Sequence, residues 1–226
     1  MEPETKKLNL SVPLAIIVAG LFVASAIALT RSPAMFPTES KLKPITASDH
    51  ILGNPDAPVK VIEFSDTECP FCKQFQATMH RIMNVYGKDG RVAWVYRQYP
   101  IAEIHPKALK EAEATECAGE LGGNAAFWAY LDTIFEVTPS NDNLDPAELF
   151  TIAQTIGLDR LKFESCLASG KYTAHVAENI QEAISVGAEG TPWTIVVAAN
   201  GKLYPLAGGQ PYAAVKSLID VALQQK

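Results

Sequence analysis

Two cysteines separated by two residues, in Cys69-Pro70-Phe71-Cys72, are the residues of this chain best suited to do chemistry. The apolar, β-branched run just before them predicts a strand, and the residues from Pro70 onward predict a helix, so Cys69 falls at a helix N-terminus. Unpaired backbone N–H groups and the positive end of the helix dipole favour a thiolate there. We therefore predict that Cys69 has a depressed pKa and acts as a nucleophile.

Cys72 lies about one turn into the predicted helix, close enough to attack a disulfide formed at Cys69. Pro70 suits the first helical turn, where its missing N–H costs nothing. The alternatives are a static disulfide or half of a zinc site. A closed zinc site would need a second cysteine pair at similar spacing, and Cys117 and Cys166 are not such a pair. Thiol–disulfide exchange is the favoured chemistry, and we expect neither a metal nor a cofactor.

Glu63 and Thr191-Pro192 are further candidates for the same site. Glu63 lies six residues before Cys69 in an apolar run that is typical of a strand covered on both faces. A carboxyl buried there would have a raised pKa and could exchange a proton with Cys72, whereas a glutamate on an edge strand would reach solvent. A cis bond before Pro192 would form a sharp turn at the start of a strand, although a trans-proline fits the same position.

The N-terminal part predicts a membrane segment followed by a linker. Leu8–Thr30 carries no charge and is almost wholly apolar, and about 20 such residues span a bilayer as a helix. Two lysines precede it, so we expect residues 1–7 in the cytoplasm and the rest of the chain outside. A cleaved signal peptide is the alternative, because small residues near the end of the run fit a cleavage site. Residues 31–48 contain three prolines and predict a linker.

Residues 49–226 predict one α/β domain. The strands predicted at residues 59–65 and 91–99 flank the helix that begins at Pro70, which makes a βαβ unit with parallel strands. Residues 101–186 predict helices only. A hairpin with the turn Asn200-Gly201 and a final helix complete the domain, so two parts of one sheet enclose an all-helical insertion.

Composition limits the class of partner. The 226 residues are 48% hydrophobic, which is enough for one sizeable core, and the net charge is −6. A phosphate-binding protein needs a basic face, and the sequence has no cluster of lysine and arginine that would form one. We therefore expect no nucleic-acid partner.

These motifs together resemble the DsbA-like branch of the thioredoxin fold. The resemblance is carried by CPFC after VIEFSDTE, by GTP before an apolar strand and by the helical block between them. It implies a thioredoxin-like fold in which Cys69 attacks and Cys72 resolves the mixed disulfide. It also implies that Thr191, before a cis Pro192, lies beside the site. The acidic residue that the family has six positions before the first cysteine matches Glu63.

The resemblance implies a protein-disulfide oxidoreductase that acts outside the cytoplasm. Its substrates would be thiols of exported proteins or peptides, and a membrane redox partner, such as a quinone-linked one, would restore its active state. We expect a monomer held at the membrane by its N-terminal helix. A dithiol oxidase is favoured, a reductase or isomerase would use the same site, and a redox-inert peptide-binding chaperone is a third possibility, which the intact cysteine pair argues against.

One departure from the family concerns Phe71. The best-known periplasmic oxidant of this family has histidine at that position, and the histidine stabilises the thiolate. Pro70 and Phe71 are therefore expected to tune the redox potential, and phenylalanine is expected to give a weaker oxidant.

Cys117 and Cys166 lie in the predicted helical insertion. An even pair in an oxidising compartment suggests a structural disulfide, and some DsbA-like relatives carry a second bridge here; two separate buried thiols are the alternative. Such a bridge would contribute at most on the order of 4 kcal/mol in the chain-entropy model. No histidine is assigned to a metal or to catalysis, and His105 is expected to be a cap or a surface residue.

Overall fold

The computed structural model describes residues 41–225. In this part of the chain one five-stranded sheet has the order β1-β3-β2-β4-β5. The strands are β1 (His50–Gly53), β2 (Val59–Ser65), β3 (Val92–Gln98), β4 (Trp193–Val197) and β5 (Leu203–Ala207). The helices are α1 (Pro70–Ile82), α2 (Ala108–Val137), α3 (Glu148–Thr155), α4 (Arg160–Ser169), α5 (Thr173–Ser185) and α6 (Tyr212–Leu223).

The sheet confirms the predicted α/β architecture. β2 and β3 run parallel, and α1 connects them. β5 pairs antiparallel with β4, as the predicted hairpin requires. β4 also pairs antiparallel with β2. β2 is therefore a central strand with a neighbour on each side. β1, which the sequence did not predict, adds an antiparallel strand at the outer edge of β3.

Four helices, α2 to α5, form the insertion between β3 and β4, in the region predicted to be all helical. α2 is interrupted at Gly123, where φ is 73° and only glycine adopts the backbone without strain. Asp159 caps α4 by accepting a hydrogen bond from the Lys162 N–H. A disulfide between Cys117 of α2 and Cys166 of α4 links these two helices.

The two faces of the sheet bury different residues because successive side chains of a strand point to opposite sides. Val61 of β2 packs with the α1, α2 and α6 side, and Ile62 and Phe64 pack with the end of α5 on the other side. Glu63 shares the face of Val61. The strand alternation therefore directs this carboxyl toward α1, the helix that carries the two cysteines.

Residues 42–45, within the segment predicted as a linker, pack on the domain. Leu42 and Ile45 contact the apolar cluster on the α5 side of the sheet. The buried Arg97 guanidinium donates to the carbonyl oxygens of Lys43 and Pro44, at 3.4 and 3.3 Å. The structured part of the chain thus begins before residue 49, because Arg97 draws its acceptors from the preceding segment.

The predicted membrane segment, Leu8–Thr30, and the flanking residues 1–7 and 31–40 lie outside the described residues. From residue 41 to residue 225, no helix combines the length and the apolar character that a membrane crossing needs.

Candidate active site

The two cysteines lie where β2 leads into α1. Helix α1 begins at Pro70, and Cys69 precedes it with an extended backbone, φ −78° and ψ 121°. Phe71 is 58% exposed, Cys69 is 5% exposed and Cys72 is fully buried. Both cysteines are thiols in this structure. The site therefore offers one sulfur close to the surface and keeps the other behind it.

The two thiols are electrostatically unequal. A hydrogen bond from the Cys72 thiol lowers the pKa of Cys69 to about 6 against the opposing effect of burial. The Thr191 side chain and the backbone N–H groups of Cys72 and Phe71 lower this pKa further. Burial, followed by the proximity of Cys69, raises the pKa of Cys72 well above its ordinary value. At neutral pH the arrangement holds a thiolate at Cys69 and a thiol at Cys72. The helix N-terminus contributes as predicted, but its contribution is smaller than that of the neighbouring thiol.

Thr191 and Pro192 lie beside Cys69. The peptide bond between them is cis, and the Cys69 thiol donates to the Thr191 carbonyl oxygen at 3.4 Å. The carbonyl of Pro192 accepts a hydrogen bond from Gly208, which follows β5. The start of β4 is thereby held next to the Cys69 sulfur.

Gly209 shows how closely the turn after β5 approaches the cysteines. A Cβ atom at this position would lie 2.9 Å from the Phe71 carbonyl oxygen, which is backbone and cannot rotate away. Only glycine fits without moving the CPFC turn. Close packing against the CPFC turn thus explains Gly209, whereas Gly208 is explained by its backbone, which has a φ of 73°.

Glu63 is buried at the centre of the sheet, and the alternative of an exposed glutamate on an edge strand is excluded. Its Oε2 accepts a hydrogen bond from the Trp94 indole at 3.0 Å. Burial raises the pKa of Glu63 to about 7, although the nearby Ser65 hydroxyl and the hydrogen bond from Trp94 oppose this effect. A carboxyl with this pKa can donate or accept a proton near neutral pH.

The three buried polar residues before Cys69, which are Asp66, Thr67 and Glu68, were not predicted as part of the site. Asp66 accepts hydrogen bonds from the Ile101 N–H at 2.8 Å and from the His105 ring at 2.9 Å. His105 is 5% exposed, so its prediction as a cap or surface residue is wrong: it is an internal partner of Asp66. The Asp66 N–H in turn approaches the Cys72 sulfur at 3.5 Å.

Glu68 and Glu111 are two further buried acidic residues near Asp66. The Glu68 carboxylate accepts hydrogen bonds from the N–H groups of Asn143 and Leu144, and Thr67 donates to Glu111 at 2.6 Å. Burial, together with nearby acidic residues, raises the pKa of Glu111 to about 8. These contacts attach the loop before Cys69 to the helical insertion. The polar sequence Asp66-Thr67-Glu68 does not predict these contacts, because their partners lie far away along the chain.

Comparison with known proteins gives a consistent result for the fold. A family model described as thioredoxin matches residues 46–221. The crystal structure of Pseudomonas aeruginosa DsbA2 is 27% identical with a TM-score of 0.67, over 81% of this chain and 100% of that chain. Wolbachia pipientis alpha-DsbA1 is 22% identical with a TM-score of 0.70, over 81% of this chain and 94% of that chain.

A curated relative, the Na(+)/H(+) antiporter NhaA 3 of Salinispora tropica, is 34% identical over 154 residues. The match covers 68% of this chain and 22% of the antiporter. The chain therefore spans about a fifth of the length of this relative.

Proposed function

The chain belongs to the thioredoxin family as a disulfide-exchange enzyme of the DsbA type, and on that premise we propose that it is a dithiol oxidase for exported proteins. The observation that carries the proposal is the inequality of the two thiols. Cys69 has a pKa lowered to about 6 beside a fully buried Cys72 whose pKa is raised. Stabilising the Cys69 thiolate stabilises the reduced enzyme, which favours oxidation of the substrate.

The reaction begins with the Cys69–Cys72 disulfide. A substrate thiolate attacks the Cys69 sulfur, the bond between the two cysteines breaks, and Cys72 leaves and takes a proton from Glu63. A second substrate thiolate then attacks the substrate sulfur of the mixed disulfide, and Cys69 leaves as a thiolate. The substrate has lost two electrons and the enzyme holds them as a dithiol. A membrane redox partner, quinone-linked in our proposal, reoxidises it.

The substrate-binding surface in this proposal is formed by Thr191, Pro192 and Phe71. The Thr191 carbonyl lies 3.4 Å from the Cys69 sulfur, so an extended peptide whose cysteine reaches Cys69 passes this backbone and can pair with it. Phe71 is exposed and offers an apolar contact. Backbone pairing would give affinity with little demand on sequence, which suits an enzyme with many substrates.

The location outside the cytoplasm is also a proposal. It is supported by the DsbA-type fold and by the Cys117–Cys166 disulfide, because disulfides persist in oxidising compartments. We assign Cys117 and Cys166 a structural role and Leu8–Thr30 the role of a single membrane anchor. We expect the enzyme to be a monomer that needs no cofactor.

A reductase is the second candidate, and Phe71 is the residue that favours it. Phe71 supplies neither a charge nor a hydrogen-bond donor to the thiolate, whereas the family's strong oxidant has histidine there. The reduction potential separates the two functions. A potential above about −200 mV in a glutathione equilibrium would support the oxidase, and a potential near the thioredoxin value of about −270 mV would support the reductase.

Two cysteine variants test the chemistry. With the full chain and a dithiol peptide, we expect Cys69→Ser to abolish exchange because the attacked sulfur is lost. Cys72→Ser is expected to accumulate mixed disulfides at Cys69, detected by mass spectrometry, because the resolving thiol is lost. Wild-type rates of exchange in the Cys69→Ser variant would overturn the assignment.

A further inference from the structure

One carboxyl oxygen of Glu63 and three buried hydroxyl oxygens at neighbouring sheet positions have no hydrogen-bond partner among the described residues. They are Glu63 Oε1, Ser65 Oγ, Tyr96 OH and Thr194 Oγ1. An unpaired buried polar group is costly, and proteins pair most such groups with protein or ordered water. Four of them in one place indicate groups that bind water or exchange partners during the reaction.

The sheet register brings these oxygens together. Glu63 of β2 lies opposite Tyr96 of β3 on one side and opposite Thr194 of β4 on the other. Paired residues of neighbouring strands share a face, and so do residues two apart in one strand. Ser65 therefore joins the same face, one step nearer to the cysteines. We call Ser65, Tyr96 and Thr194 the hydroxyl cluster.

Ser65 lies near both of the groups that exchange a proton in the proposed reaction, Glu63 and Cys72. Its hydroxyl lowers the pKa of Glu63 and that of Cys72, because it lies near both and favours their charged forms. No direct hydrogen bond joins Glu63 and Cys72 in the described chain. The Trp94 indole donates its hydrogen bond to Glu63 Oε2. Glu63 Oε1 has no partner among the described residues and is therefore available to the hydroxyl cluster. The other titratable groups near Glu63 or Tyr96 are Cys69, His80 and Asp66.

We propose that Ser65 is a positioning residue for proton transfer, whose hydroxyl and an ordered water held by Tyr96 and Thr194 connect Glu63 to the Cys72 sulfur. The inference rests on the proposed disulfide exchange. When a substrate thiolate breaks the Cys69–Cys72 bond, the proton of the Glu63 carboxyl passes along the hydroxyl cluster to the departing Cys72 thiolate. The products are the Cys72 thiol and the Glu63 carboxylate. In the reverse direction the proton returns to Glu63 and Cys72 becomes the nucleophile.

The test compares Ser65→Ala with Ser65→Thr, which keeps the hydroxyl. Single-turnover reduction of the oxidised full chain by glutathione is followed by tryptophan fluorescence from pH 5 to pH 9. We expect Ser65→Ala to slow the reaction about tenfold near pH 7, since general acid–base catalysis contributes roughly 10²–10⁴-fold and one part of the path is lost. Ser65→Thr is expected to restore most of the lost rate. Ser217→Ala, on the exposed side of α6, is the matched control for serine removal.

A double-mutant cycle with Glu63→Gln separates proton transfer from packing. If Ser65 acts through Glu63, Ser65→Ala is expected to cause no further slowing in the Glu63→Gln background. An equal slowing in both backgrounds, or a wild-type pH profile in Ser65→Ala, would overturn the inference. If Ser65→Ala does not fold, Tyr96→Phe and Thr194→Val undergo the same cycle, and an effect independent of Glu63 in both would overturn it.

Failure of the proposed function would look different. A wild-type chain whose Cys69–Cys72 disulfide did not react with glutathione, or whose exchange survived Cys69→Ser, would contradict the function itself. Normal exchange by the wild type with no effect of Ser65→Ala would contradict only the role of Ser65.

Discussion

Glu63 is the residue at which stability and reactivity conflict most clearly. Burial raises its pKa from 4.5 to about 7, so the folded protein holds a proton that the unfolded chain releases between these values. Stability therefore falls as the pH rises through this window, and the full penalty is present above pH 7. The burial that brings the pKa of this carboxyl close to neutral pH thus also weakens the fold at that pH.

Replacing Glu63 by glutamine is therefore expected to stabilise the reduced protein at pH 8. The shift corresponds to a gain of up to about 3 kcal/mol in the free energy of unfolding. The gain is expected to disappear below pH 4.5, where the carboxyl is protonated in both states. Urea unfolding at pH 8 and pH 4 measures it. Equal midpoints for the two proteins at pH 8 would show that burial of this carboxyl carries no penalty.

Phe71 is expected to set the redox potential from its exposed position between the cysteines. In Phe71→His, a cation or donor near the sulfur would stabilise the Cys69 thiolate, lower its pKa below about 6 and raise the potential. Each pKa unit corresponds to roughly 30 mV for a two-electron couple. Thiolate absorbance and the glutathione equilibrium measure both quantities, with Phe71→Leu as the control that adds no charge. If histidine changes neither, the potential is set by Cys72, Thr191 and the start of the helix.

The candidate reacting residues could be recognised in the sequence, whereas their buried neighbours could not. Cys69 and Cys72 are recognisable because the spacing and the strand–helix junction are local features. Glu63 is recognisable because its neighbours in the strand are apolar. Asp66 and Glu68 look like a solvent-exposed loop, since their partners lie more than thirty residues further along the chain.

At the scale of elements, the strands around the cysteines were predictable from their apolar runs, while β1 was not. β1 has four residues and begins with a histidine, so it carries no strand pattern of its own. It forms because β3 has a free edge and because the Asn124 side chain accepts from the Ile51 N–H and donates to the Ile51 carbonyl. Both causes are tertiary, and a short window of sequence contains neither of them.

The disulfide between α2 and α4 is expected to stabilise the insertion without taking part in exchange. It closes a loop of 49 residues, so the double variant Cys117→Ala/Cys166→Ala is expected to lose up to about 4 kcal/mol of stability. The pKa of Cys69 is expected to stay near 6, because its causes lie in α1 and Thr191. Thermal unfolding and thiolate titration of the double variant measure the two effects. A shifted Cys69 pKa would show that the insertion controls the nucleophile.

At the scale of the whole molecule, the start of the domain depends on one buried arginine. Arg97 is 4% exposed and pairs with Asp49 at 2.7 Å and with Glu182 at 2.5 Å. Glu182 also accepts a hydrogen bond from the Lys43 N–H at 2.7 Å. A buried cation needs all of its donors paired. The residues before Asp49 therefore belong to the folded unit, and the family match likewise begins at residue 46.

Truncation tests where the domain begins. A chain that starts at residue 49 loses the carbonyl acceptors of Lys43 and Pro44 and the apolar contacts of Leu42 and Ile45. Each buried donor left unpaired costs about 1–3 kcal/mol, so we expect this chain to be less stable by a few kcal/mol than one that starts at residue 41. Glutathione exchange is expected to be unchanged, because α1 and its cysteines lie on the opposite face of the sheet. Equal urea midpoints for the two chains would show that residues 41–48 are a linker after all, and that water satisfies Arg97 equally well.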